Sequence, residues 1–357
     1  MRSPGFLEGR APRKLQPSEQ STEGSDPMKL RFGFVNLLGA AMCLVTAQYA
    51  AGQGLAAKKI WTPPRTADGQ PDLQGVWINA TITSLERPAD LAGKSFFTPA
   101  EAAAYEKRVV ENANVDRRRS DISADVGLAY NEAWWDRGTH VVKTLRTSLI
   151  VDPADGKLPA LTVDGERRAA GLAEQRRLHP ADGPENRSLA ERCILWGTAG
   201  PPMMPGPYND NYQIFQAPGY VAIVVEMIHD VRIIPLDARP HLPPNVRQWL
   251  GDSRGHWEGN TLVVETANFT DKTRFRGASE NMRLTERFTR TDPDTILYEY
   301  TVNDPATWTK PWTAQVTMAK SNSRVYEYAC HEGNYAMTGI LTGARAGENN
   351  SAKAATK

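Results

Sequence analysis

The chain carries almost no excess of either charge: 42 Lys and Arg stand against 41 Asp and Glu over 357 residues, a formal net charge of +1. That balance gives no excess of basic charge to argue for nucleic acid or an anionic membrane as the partner. Long apolar runs are equally scarce, with one near the start and none of spanning length after it, so no stable membrane anchor is expected. Cofactor signatures are missing too. There is no Gly-x-Gly-x-x-Gly after a strand, no Gly-rich phosphate loop, no Cys-x-x-Cys-His and no His-Glu-x-x-His. No cofactor is therefore expected, and redox and phosphoryl-transfer chemistry give way to hydrolysis, elimination or isomerisation by side-chain acids and bases. A zinc ion held by three of His229, His241, His256 and His331 with a carboxylate remains an alternative, although no spacing demands it.

What is present begins with Met28-Lys-Leu-Arg31, an apolar run over 32–45 and the small residues Ala47, Ala50, Ala51 and Gly52. A basic segment, a short apolar segment and small residues at a cleavage point make 28–52 a secretory signal peptide, cut after Ala47 or Gly52. Residues 1–27 then read as a non-native leader upstream of an initiator at Met28. The expected destination is periplasmic or extracellular. Of three cysteines, Cys43 falls in the signal behind Met42, where a lipoprotein signal needs a small residue. Cys193 and Cys330 remain, and an oxidising compartment favours one disulfide between them, contributing about 2–4 kcal/mol. Two separate buried thiols are the alternative.

After the signal, 53–72 is a turn-rich extended arm without period. Residues 73–344 form a β-rich domain with helical insertions, and the small polar tail 345–357 is expected to be disordered. Thr98-Pro-Ala-Glu101 opens a helix over 99–112 with a capping box and Pro at its first position, and a second helix is predicted over 164–177. From Tyr212 the apolar period becomes two, giving strands over 212–215, 220–227, 231–236, 255–257, 261–266, 284–290, 295–302, 312–318 and 324–330. Consecutive hairpins without a βαβ rhythm predict an antiparallel up-and-down barrel or a sandwich, the barrel being favoured.

Several stretches carry resemblances. Gly75-Val-Trp77, on a first strand near 73–81, resembles the opening triplet of lipocalin (calycin-like) barrels, in which the Trp plugs the barrel end. Tyr130-Asn-Glu-Ala-Trp-Trp-Asp-Arg-Gly138, Arg146-Thr-Ser-Leu-Ile-Val-Asp-Pro153, Gly251-Asp-Ser-Arg-Gly-His-Trp-Glu-Gly259 and Tyr328-Ala-Cys-His-Glu-Gly-Asn334 resemble a large group of secreted, mostly uncharacterised proteins of soil proteobacteria and acidobacteria. The likeness covers nearly the whole mature chain. It implies export and supplies no activity whose catalytic residues transfer.

The densest ionisable cluster is Glu226-Met-Ile-His229-Asp230-Val-Arg232. If Ala222 and Val224 point inward along their strand, Glu226 does too, and a buried carboxylate suits general acid work, with His229 at the pocket mouth. Strand-end capping and pairing at a hairpin rim is the alternative. His331, beside Cys330, joins Glu226 and His229 as an acid–base candidate. Arg254 and His256 share a strand face and, if inward, form an anion- or hydroxyl-binding pair. Ser253 and His256 lie on opposite faces, which argues against a serine triad. Arg232, Arg254, His256, Tyr298, Trp312 and Tyr328 are the substrate-holding candidates, and the partner is a small-molecule substrate or ligand. The expected function is a cofactor-independent lyase or hydrolase acting on a small aromatic or carbohydrate-derived compound. A non-catalytic periplasmic ligand-binding barrel is the rival.

Overall fold

Alternation of apolar and polar residues writes itself into the burial of the strands. In Arg283–Asp292 (β8) the residues Leu284, Glu286, Phe288 and Arg290 are buried while their neighbours are not, and Thr295–Asn303 (β9) and Trp312–Ser321 (β10) repeat the pattern. A computed structural model of the chain describes residues 61–116, 132–272 and 275–355. The expected leader 1–27, the signal 28–52 and the start of the arm lie outside the described residues. Trp61–Lys357 forms one unit.

The remaining strands are Gly75–Ile78 (β1), Ile150–Asp152 (β2), Asn211–Ala217 (β3), Tyr220–Val225 (β4), Val231–Pro235 (β5), Asp252–Glu258 (β6) and Thr261–Ala267 (β7). Among the described residues these make one antiparallel ten-stranded sheet in the order β5-β4-β3-β1-β10-β9-β8-β7-β6, with β2 paired to β10 off that path. The protein is therefore mainly β. The sheet is not closed, because its two edge strands, β5 and β6, share no backbone ladder.

Side chains cross the gap instead. Residues of β5 and β6 approach within 8 Å, Cα to Cα, and Gly255 of β6 makes that approach feasible. A Cβ there would stand 2.8 Å from Ile234 Cγ2 and 2.7 Å from Leu236 Cδ2, closer than packed carbons tolerate. The interior is filled by Trp77, Tyr212, Tyr298, Tyr300, Phe288 and Trp312, all fully buried. Aromatics of this size bury on the order of 150–250 Å² each, which makes them the main apolar contribution to the fold. At one end the Arg290 guanidinium lies 5.4 Å over the Trp77 ring and donates to the carbonyls of Asp72 and Pro293. The Trp77 indole donates to the Leu73 carbonyl at 2.9 Å.

Helix α1 (Pro99–Ala113) starts at the predicted capping box, with Thr98 Oγ1 accepting from the Glu101 amide. Helix α2 (Val163–Leu178) starts on Thr162, whose hydroxyl accepts from the Gly165 amide. Gly165 also lets α2 dock, since a Cβ would stand 2.5 Å from the Thr307 carbonyl oxygen. Arg168 donates to that same turn, to Ala306 O and Thr307 Oγ1.

Two expectations fail at the C-terminus. Residues 324–330 form no ladder and run as an irregular segment, because β10 already pairs with β1, β9 and β2. The tail beyond residue 344 continues a helix, α3 (Ala336–Ala355). Alanine lowers the cost of helix formation, and Arg345 pairs with Glu348 while donating to the carbonyls of Ala181 and Asp182. Its small residues signal helix rather than disorder.

Candidate functional site

The end of the sheet opposite the Trp77–Arg290 plug gathers most of the ionisable residues that the sequence singles out. Chain order brings them there: β4 stops at Val225, the chain turns through Met227–His229, and β5 leaves from Val231. Glu226 is buried, but not through the expected phase. Val221, Ile223 and Val225 face the interior while Ala222 and Val224 do not, so strand alternation would have sent Glu226 outward. Its backbone instead enters a helical turn, and the carboxylate folds back inside. There Oε2 accepts from Asn211 Nδ2 at 2.5 Å and Oε1 accepts from the Tyr326 amide at 3.1 Å. Both oxygens thus serve to tie β3 and the C-terminal segment together.

The turn is strained. Ile228 and His229 both adopt left-handed backbone, with φ of 62° and 47°. For a β-branched residue this costs about 1–3 kcal/mol. His229 is exposed and its Nδ1 lies 3.1 Å from the Tyr328 carbonyl oxygen, which makes Nδ1 the donor and leaves Nε2 outward. Between them, the Asp230 carboxyl is half-buried, and its Oδ2 finds no hydrogen-bond partner among the described residues. Burial pushes its pKa up to about 6, against the opposing charge of His229.

Arg232, Tyr298 and Trp312 lie in the interior and face no open site. Arg232 crosses from β5 to β8 and donates twice to Glu286, at 3.0 and 2.5 Å, and once to Ser253 Oγ at 3.3 Å. Tyr298 OH donates to Glu286 at 2.7 Å and accepts from the Met203 amide at 3.0 Å. Burial alone would lower the Arg232 pKa, and the Glu286 carboxylate more than reverses this. Burial raises the phenol pKa of Tyr298. Trp312 packs edge-on against Tyr300 and Trp308, both 5.8 Å between ring centroids.

Arg254 and His256 do share a face of β6, but it is the outer one. Arg254 pairs with Asp252 at 2.6 Å and His256 Nε2 meets Glu258 at 3.2 Å. The inward anion-binding pair expected of them is therefore not formed, because Ser253 and Gly255 take the inner positions. Among the described residues no three His, Cys, Asp or Glu side chains converge to hold a metal. His229, His241 and His256 each face a different partner, Tyr328, Asp252 and Glu258.

Cys193 and Cys330 are joined in a disulfide with Cα atoms 5.7 Å apart. The bond carries the segment 326–331 back over the Met227–His229 turn and brings Tyr328 against the core. His331 follows the bond and is exposed.

A large cleft lies elsewhere. A cleft of about 880 Å³ separates α2 from the segment 179–197, and its wall includes Arg176, His179, Arg187, Arg192, Trp249 and Lys272. Leu172 and Leu189 supply apolar floor, and Glu185 and Glu191 are its carboxylates. Glu191 is held by Arg187 at 2.5 Å, and His179 Nδ1 lies 2.6 Å from Asp182. A second cavity of about 190 Å³ sits beside it, lined by Trp196, Pro201, Met204, Phe275 and Arg276. Sequence reading places a helix over 164–177 and assigns no site to its charged residues. The groups opposite them come from distant segments, so no local pattern announces the cleft.

The fold and these sites define a mainly β protein with an open ten-stranded sheet, a packed interior and a cationic surface cleft. No protein-family model, curated protein or solved structure matches the chain.

Proposed function

We propose that this protein binds a small molecule in the cleft between α2 and the segment 179–197, as an exported binding protein rather than an enzyme working from inside its sheet. The observation that carries the reading is the contrast between a filled interior and a cleft of about 880 Å³, within the size range of small-molecule sites. Export is supported by the Cys193–Cys330 disulfide and by the absence, among the described residues, of a helix long and apolar enough to cross a membrane. A calycin-like barrel is the finer reading of the sheet. It rests on the Trp77–Arg290 plug and on the side-chain seam between β5 and β6.

The test is thermal stabilisation by a panel of aromatic and carbohydrate-derived compounds, run on the wild type and on Leu172→Trp, which projects a bulky ring into the cleft. A ligand at 100 times its Kd stabilises by about 2.7 kcal/mol. Hits on the wild type that vanish in Leu172→Trp support the cleft; hits unaffected by the substitution sink it.

One observation favours an acid–base enzyme as second reading: Asp230, its pKa pushed up to about 6, sits with an uncommitted oxygen in a strained turn beside His229. Under that reading Asp230→Asn folds normally and lowers turnover on ester, glycoside and lyase substrates by roughly 10²-fold or more. No wild-type turnover on such a panel removes it.

A further inference from the structure

We propose that the ligand of the cleft is a small organic dianion, carrying two carboxylates or a phosphate on a ring or sugar body. The proposal rests on the reading of the cleft as the binding site and adds the ligand's charge.

Three cations reach the cleft from three separate places: Arg176 from the last turn of α2, Arg192 from the segment just before Cys193, and Lys272 from the turn after β7. Among the described residues, no hydrogen bond or ion pair involves the side chain of any of them. The other charged groups on the wall do not balance them. Arg187 and Glu191 neutralise each other, and His179 is engaged by Asp182. Glu185 is the one further carboxylate among the described lining residues. Among the described residues that line it, four full cations therefore face two carboxylates, a surplus of two positive charges in a concave site.

Gathering like charges in a concavity works against folding, because each cation raises the cost of the next. Arg176 gains from its place at the C-terminal end of the α2 dipole, but Arg192 and Lys272 join no pair among the described residues. A bound dianion supplies the missing charge. Guanidinium groups donate to carboxylate or phosphate oxygens in bidentate fashion, and here two of them line one cleft with an ammonium. Leu172, Leu189 and the Trp249 ring add apolar surface for a ligand body, so the site suits an organic dianion better than a bare inorganic ion.

The experiment titrates five probes by calorimetry at low and high salt: phthalate and galactarate as dicarboxylates, phenyl phosphate as the phosphate source, and phthalamide and galactaramide as neutral counterparts. The proteins are the wild type, Arg176→Gln/Arg192→Gln and Leu172→Trp. The expected result is that at least one dianion binds roughly ten-fold or more tightly than its neutral counterpart and weakens as salt screens the charges. The double variant loses that preference, and at low salt it melts no lower than the wild type, since a repulsive pair has been removed. Which dianion binds separates carboxylate from phosphate. Neutral probes that bind as well as the dianions, and are lost in Leu172→Trp, overturn the dianion while leaving the cleft standing. Binding that survives Leu172→Trp, or no binding by any probe, overturns both. A double variant melting several degrees lower shows the arginines to be structural and overturns the proposal.

Discussion

Replacing Glu286 by Gln is expected to destabilise the protein severely while leaving the shape of its interior unchanged. Glu286 is fully buried and accepts three hydrogen bonds, two from Arg232 and one from Tyr298. The amide fills the same volume, so no cavity forms, but the Arg232 guanidinium is left charged with its counter-ion gone. Breaking a buried pair in this way costs about 3–5 kcal/mol. For a folded unit of this size that corresponds to a fall in Tm of roughly 6–15 °C. Arg232→Met is expected to cost somewhat less, because a buried carboxylate can take up a proton and the Tyr298 hydroxyl still faces it. The double variant Arg232→Met/Glu286→Leu removes both desolvated charges and should return to within about 2 kcal/mol of the wild type. Urea unfolding followed by circular dichroism on these proteins and on Glu286→Leu gives the coupling energy, the cycle being closed by Arg232→Met, Glu286→Leu and their combination. A Glu286→Gln protein melting within about 2 °C of the wild type would refute the sealed-pair account, as would a double variant as unstable as the sum of the singles. Either result would return Arg232 and Tyr298 to the substrate-holding role that the sequence suggests for them.

Three further outcomes follow from the same geometry. Replacing Cys193 and Cys330 by Ser opens a loop of 137 residues and should cost about 2–5 kcal/mol, with amide exchange rising first over 326–335; uniform exchange would contradict the tether. Burial raises the Asp210 pKa to about 7, the Gly206 amide opposing and the Asp136 charge adding to it. The folded state then keeps a proton that the unfolded state loses near pH 4, so stability falls between about pH 4 and 7, by up to roughly 4 kcal/mol, and levels off above. Asp210→Asn should flatten that slope and be more stable than the wild type at pH 8; an unchanged pH profile in chemical denaturation refutes it. Gly255→Val pushes a side chain between Ile234 and Leu236 and should cost about 1–3 kcal/mol; no change in urea midpoint would show that the β5–β6 seam does not hold the sheet.

Most of the sheet was legible because period two survives wherever one face is packed and the other is wet, as in β8, β9 and β10. The capping box at Thr98 and Glu101 was legible because both of its hydrogen bonds are local. Failures came where a long-range contact overrides the local pattern. Glu226 is inside for a reason opposite to the strand phase, since Asn211 and the Tyr326 amide capture its carboxylate after the strand has ended. The three-residue β2 exists only because β10 offers it an edge, and no run of three announces a strand. Arg232 looked like a site residue because a charge on a strand invites function; its partner lies 54 residues away, and nothing local to either predicts the pair.

On the proposed reading, the placement of charge explains why binding moves to the outside of the sheet. An interior able to hold a ligand needs space, but here several of its polar groups are spent on one another, Arg232 on Glu286, Tyr298 on Glu286 and the Met203 amide, Ser253 on Thr266, while the Tyr300 hydroxyl and the Trp312 indole N–H find no partner among the described residues. Polar groups satisfied in this way rigidify a core and leave little free energy for a guest. The segments added to the sheet are in the opposite state. Helix α2 and the 179–197 segment present cations without partners around open volume. Cys193 anchors the end of that segment to Cys330, and Arg345 of α3 holds it at Ala181 and Asp182. A binding cleft requires walls fixed in position and charges left unpaired, and on the proposed reading these insertions have both: the disulfide and α3 fix the wall, and Arg176 and Arg192 stand unpaired among the described residues.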